Sequence, residues 1–257
     1  RNPLYIVLAA PVAPMEEPWQ EVLDKACHDK LAGGQTEKRK ALEEIGKGFY
    51  ENRRPAFPRR IHYDAQAPGY SYKDKPDGKP ANKDDVSIFH LSKFLKDLQD
   101  RQVQRVAINC CCVSNFYQLL AASVGIDCKW MSLCVDRTKK DFNEYIGRGY
   151  DAQPVTLYYP MGAPAWAAMD KPFVFHRFLL FDNKAYDASF QVGPATRREW
   201  LLGLELPHYF QKFKFFRARQ QGDHTILEEV QLTFDEILRW TDQGKTQLAP
   251  EDIHNAP

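Results

Sequence analysis

Between Cys111 and Val124 the chain carries no charged residue at all, reading CCVSNFYQLLAASV. Phe116, Leu119, Leu120 and Ser123 recur at helical spacing, and Gly125 stands where a helix commonly turns left-handed and stops. A helix without a charged face has no side to offer to water, so it has to be enclosed by the rest of the chain. This segment is therefore expected to be a central, buried helix, and the fold is expected to be built around it.

The flanking sequence supplies both kinds of wall. Trp19, Val22, Leu23, Ala26 and Cys27 have helical spacing after Pro18, with Gly33-Gly34 as a stop. A second helix is expected from Thr36 to about Tyr50, with Leu42, Ile45 and Phe49 inward. A third is expected over about Val86 to Arg101, where Leu91, Phe94, Leu95 and Leu98 make one stripe. Residues 51 to 85 are rich in Pro, Lys, Asp, Gly and Tyr, and 67 to 85 read as a long surface loop. Val103 to Ile108 is a short extended entry to the central helix.

Strand character dominates after that helix. Ile126 to Val135 is one run, Pro154 to Tyr159 another, and Phe173 to Phe181 with Ala185 to Val192 are the strongest pair, joined by Asp182-Asn183. Aromatic-rich Tyr209 to Phe216, with Phe210, Phe213, Phe215 and Phe216, reads as core. Ile226 to Leu232 is strand-like, and Thr233 with Glu236 caps a short closing helix. Helices first and an antiparallel sheet afterwards is the α+β pattern. One domain is expected over 1–257, with a core at about 86–192, N-terminal helices at 18–50 and a C-terminal extension at 193–257.

Composition narrows the functional classes. The 257 residues include 35 basic and 34 acidic ones, a net charge of +1, which makes no case for nucleic acid or an anionic surface as partner. No apolar run approaches the ~18 residues of a membrane span. Leu4 to Val12 is apolar but short and is broken by Pro11 and Pro14, so it reads as an entering strand rather than a signal peptide. The chain opens at Arg1 without Met and is expected to be part of a longer polypeptide, which leaves its localisation open. Of the six cysteines, three are consecutive, at 110, 111 and 112; that is no disulfide framework, and free thiols are expected. No phosphate loop, dinucleotide fingerprint or calcium loop occurs, so no cofactor is indicated.

The chemically pointed feature is a thiol at the start of a helix, followed by His176 and then Asp187 in strand-like sequence. Free N–H groups and the dipole at a helix start favour thiolate, and an imidazole can exchange the thiol proton. If Asp182-Asn183 is a two-residue turn, residues whose numbers sum to 365 face each other across the hairpin. His176 and Asp187 then share one face, a diagonal step apart, so the carboxylate can orient the ring. Successive helical residues point about 100° apart, so three adjacent thiols cannot serve one cleft. Position favours Cys110 over Cys111, and Cys111 over Cys112, with Asn109 as the cap.

These residues resemble a known family. Asn109-Cys110, the small Ser114, and the run Leu-Leu-Ala-Ala-Ser-Val-Gly-Ile ending past Gly125 look like the Cys helix of transglutaminase-like proteins, relatives of the papain-like cysteine proteases. Phe175-His176-Arg177-Phe178 and Tyr186-Asp187-Ala188-Ser189 resemble that superfamily's His and Asp strands. Pro18 to Leu23 together with the Asn-Cys pair resembles poorly characterised bacterial members. Two departures stand out: Cys112 where many relatives carry a polar residue, and Phe178 where they carry Trp.

The resemblance implies a transglutaminase- or papain-like core, a buried Cys helix packed on an antiparallel sheet that carries His and Asp. It implies a cofactor-independent catalytic triad of Cys110 as nucleophile, His176 as base and acid, and Asp187 as orienting group, acting on amide bonds of a peptide or protein. Water as acceptor makes a peptidase, amidase or deamidase; an amine makes a transglutaminase. An arylamine-acetyltransferase-like enzyme uses the same Cys-His-Asp order. The alternatives from the residues themselves are blander. Cysteine is among the most buried residue types, a strand histidine can be core, and zinc would need ligand spacings that are missing. A catalytically silent domain serving as a binding or assembly module of a larger protein is the competing class.

Overall fold

A computed structural model of the chain describes residues 4–51, 53, 55–58, 60–64, 70–73, 87–135, 175–189, 192–196, 199, 215–222, 224–230, 238–242, 245–249 and 252. Helix and sheet are mixed, an α+β arrangement of antiparallel and parallel pairings. At its centre α4 (Cys110–Ser123) has every one of its residues buried, as a helix with no charged face requires. It packs against α1 (Gln20–Leu23), α2 (Lys38–Glu51) and the strands β5 (Lys129–Val135) and β6 (Phe175–Phe181).

The inward stripes fall where periodicity puts them. Leu42, Ile45 and Phe49 of α2 are buried, and so are Leu91, Phe94, Leu95 and Leu98 of α3 (Leu91–Gln99). Phe94 meets Phe116 edge-on at 4.7 Å between ring centroids, tying α3 to α4. On the other side α2 comes close to α4 at Gly46: a Cβ there would stand 2.8 Å from the Tyr117 hydroxyl, which donates to the Leu42 carbonyl.

Three strand segments correct the sequence reading. The third helix begins only at Leu91, because Ser87–Phe89 forms β3 between β2 (Ser71–Lys73) and β12 (Gln247–Leu248). The stretch expected as loop contributes β2 and the buried Tyr70, and further upstream β1 (Arg60–Tyr63) pairs in parallel with β4 (Arg105–Ile108). Asp252 explains where α3 starts: its carboxylate accepts from the Leu91 and Ser92 N–H groups at 2.6 and 3.2 Å. No local pattern announces a cap supplied from 160 residues away.

The main sheet has the order β11-β5-β6-β7-β8 and is antiparallel throughout, with β7 at Lys184–Asp187, β8 at Val192–Ala195 and β11 at Leu238–Asp242. The β6–β7 hairpin has the expected register, Phe181 opposite Lys184 and Leu179 opposite Tyr186. Asp182 and Asn183 both take positive φ, 49° and 57°, as a two-residue primed turn demands.

A core limited to 86–192 is too narrow. β11 forms an edge of the same sheet, and Thr246 bonds Gln118 of α4 through its N–H (2.6 Å) and hydroxyl (2.7 Å). A separate hairpin joins β9 (Phe215–Gln221) to β10 (His224–Val230). The expected strand at 154–159, Tyr209 to Phe213 of the aromatic run, and the helix start at Thr233 lie outside the described residues. Among the described residues no helix is long and apolar enough to cross a membrane.

Candidate active site

The site starts at the first turn of α4. Asn109 is extended, and its Oδ1 accepts from the Cys112 N–H at 3.0 Å, which is the cap that stops the helix from running further back. The three thiols then go different ways, as a 100° step requires. Cys112 Sγ accepts from the Tyr70 N–H at 3.1 Å, which fastens it to the chain entering β2. Cys110 and Cys111 hydrogen-bond each other through their side chains, and Cys111 also meets the Arg177 guanidinium. All three are buried, at 5, 8 and 1% exposure, with Cys111 the most accessible. Cys27, Cys110, Cys111, Cys112 and Cys128 are free thiols.

Environment separates these sulfurs chemically. The hydrogen bond from Cys110 draws the Cys111 thiol down to about 7, and the nearby Arg177 charge adds to it against the opposing effect of burial. At Cys128 the balance is reversed: burial dominates and pushes that thiol far up. One cysteine of the α4 turn is thus poised to ionise near neutrality while a cysteine a helix-length away is inert.

Alternation along β6 decides which side chains reach α4. Leu179, with Trp130 and Tyr186 opposite or flanking it on β5 and β7, belongs to the core cluster that surrounds α4. Arg177 is two residues from Leu179 and shares that face. Its guanidinium lies 4.0 Å from the Trp130 ring centroid, a cation–π contact that holds it beside the cysteine turn. His176 and Phe178 alternate with Arg177 and Leu179, on the other face of β6.

On that face the expected His–Asp pairing is present. His176 Nε2 donates to Asp187 Oδ2 at 2.7 Å, and Asp187 Oδ1 accepts from the Ser189 N–H at 3.1 Å. Both side chains are buried, so the carboxylate is fixed at each oxygen and the ring cannot swing freely. The structure therefore joins His176 to Asp187, and joins Cys111 to Cys110 and Arg177.

Arg177 went unread in the sequence, although one signal was there. It is the only charged residue between His176 and Phe181, inside an apolar strand, and a buried arginine must find a counter-group. Tyr70 was also missed, because its role as donor to Cys112 depends on chain placement rather than on pattern.

Cavities among the described residues include the following two. One, of about 450 Å³, lies open between α1 and α3 and is lined by Trp19, Glu21, Leu95, Lys96 and Asp100 among others. The second is about 30 Å³, bounded by Tyr117, Tyr186 and Asp187 among others. No three His, Cys, Asp or Glu side chains gather as metal donors among the described residues. Comparison with protein-family models, with curated proteins and with solved structures found no match in any of the three.

Proposed function

We propose that the chain is a cysteine-dependent enzyme of amide-bond chemistry, with a transglutaminase-like core and a peptide or protein substrate. The observation that carries this is the thiol turn: adjacent cysteines at the capped start of a buried helix, one of them held near neutrality, packed on the sheet that holds a buried His–Asp pair. A thiolate of this turn attacks an amide carbonyl and forms a C–S bond, with backbone N–H groups at the helix start facing the developing oxyanion. The C–N bond then breaks and the leaving amine takes a proton. The resulting thioester passes to water or to a second amine. In this scheme the sequence position names Cys110 as nucleophile, with His176 as acid and base and Asp187 as its orienting group.

A second reading has its own observation. All three thiols of the turn are nearly covered, which suits a catalytically silent module of this fold inside a larger protein.

Iodoacetamide labelling across pH, mapped by peptide mass spectrometry, separates the two. The enzyme reading expects fast labelling in the 110–112 turn well below the ~8.5 of a free thiol, slowed in His176→Ala, with Cys128 as the unreactive internal control. Slow labelling of the whole turn, following ordinary thiol pH dependence, would sink the enzyme and leave the silent module.

A further inference from the structure

We propose that Arg177 is a positioning residue for the thiol turn and that the sulfur it holds ready is Cys111. This deepens the thiol-enzyme reading above and rests on it. Four observations carry the assignment. Arg177 is on the α4 face of β6, by alternation with Leu179. Its guanidinium carbon lies 4.0 Å from the ring centroid of Trp130, a buried residue of the neighbouring strand β5, so its place is set before any substrate arrives. Arg177 is itself buried, at 6% exposure, and a guanidinium keeps its proton there, so it favours an anion next to it. Cys111 of the turn meets it through a side-chain hydrogen bond.

Cys110 is placed differently. Being the first helical residue, it was favoured by the free N–H groups and by the dipole alone. Those act on every residue of the first turn, whereas a hydrogen-bonded guanidinium acts on one. The side-chain hydrogen bond between Cys110 and Cys111 acts in the same sense. Cys112 is taken up by the Tyr70 N–H. The chemical class of ligand expected at Cys111 is a soft or carbonyl electrophile approaching the helix start, consistent with an acyl group.

The test begins with the unaltered protein. Labelling with iodoacetamide over pH 5 to 10, with fragment spectra that distinguish Cys110 from Cys111, is expected to put the first label on Cys111 with a midpoint near pH 7. In Arg177→Met that midpoint should move up, and Arg177→Lys should recover part of the shift. A merely structural arginine would alter folding without moving a midpoint. Circular dichroism of each variant reports whether it folds, and the wild-type site assignment stands without any variant. First labelling at Cys110 would overturn the assignment while leaving the thiol enzyme intact. An unmoved midpoint in folded Arg177→Met would remove the arginine's role. No fast label anywhere in the turn would overturn the thiol enzyme itself.

Discussion

Gly125→Ala separates two costs that one residue bears. Gly125 follows the last turn of α4 at φ +82°, where an L side chain is strained. A Cβ there would also stand 2.5 Å from the Ala9 carbonyl oxygen and 2.7 Å from the Ala9 Cβ. The segment carrying Ala9 is held in place nearby by the Val12 N–H bonding the Ala122 carbonyl at 3.1 Å. Left-handed backbone costs a non-glycine residue about 1–2 kcal/mol. Forcing backbone apart in a packed contact adds about 1–3 kcal/mol. The substitution should therefore destabilise by about 2–5 kcal/mol. Gly34→Ala is the control, since Gly34 has nearly the same φ, +65°, but nothing within 4 Å of its Cβ. It should cost about 1–2 kcal/mol, the backbone part alone. Gly125→Asn tolerates the left-handed region better yet keeps the Cβ, so it should recover little. Urea unfolding followed by tryptophan fluorescence measures all three. Equal losses for the two alanines, within about 0.5 kcal/mol, would mean that Ala9 moves aside freely and that the N-terminal segment is not docked on α4.

Two caps give further expectations. Asn109→Ala removes the acceptor of the Cys112 N–H and should cost about 0.5–2 kcal/mol in the same unfolding assay, with Asn109→Asp close to neutral. Asp252→Ala leaves the Leu91 and Ser92 N–H groups without their carboxylate, so α3 should fray at its start. Hydrogen exchange should rise at the first amides of α3 and remain low through the middle of α4, and unchanged exchange at Leu91 would refute the cap.

Local patterns made the helices and the key hairpin legible. An uncharged run from Cys111 to Val124 can only be interior, and Asp182-Asn183 between two apolar runs sets both a turn and a register, so the His176–Asp187 contact followed from parity alone. What failed was of another kind. Ser87–Phe89 continues an apolar pattern into α3, yet it becomes a strand because β2 and β12 flank it and Asp252 starts the helix later. Its partners are distant in sequence, so no window of ten or fifteen residues contains the reason. The same holds for β11 and Thr246, which complete the sheet and clasp α4 from a stretch that looked like an appendage. The face on which β6 presents its arginine was implicit in alternation. It became readable only once Leu179 and Tyr186 were seen to face the cysteine helix, because period two gives two faces without saying which is inside.

The Arg177 contact also bears on where in pH such a thiol is useful. Moving a thiol from its ordinary 9.0 to about 7 raises the thiolate fraction at pH 7 from about 1% to about 50%. A less basic thiolate is also a weaker nucleophile, by a factor of about 6–10 over two units at a Brønsted slope of ~0.4–0.5. The net gain at pH 7 is therefore about five- to eightfold. At pH 9 the fraction only doubles while the loss of nucleophilicity is the same, so there the full downward shift slows the sulfur severalfold. A buried guanidinium beside Cys111 is thus advantageous only near or below neutrality. In alkaline solution Arg177→Met, shown folded by circular dichroism, should be the faster protein.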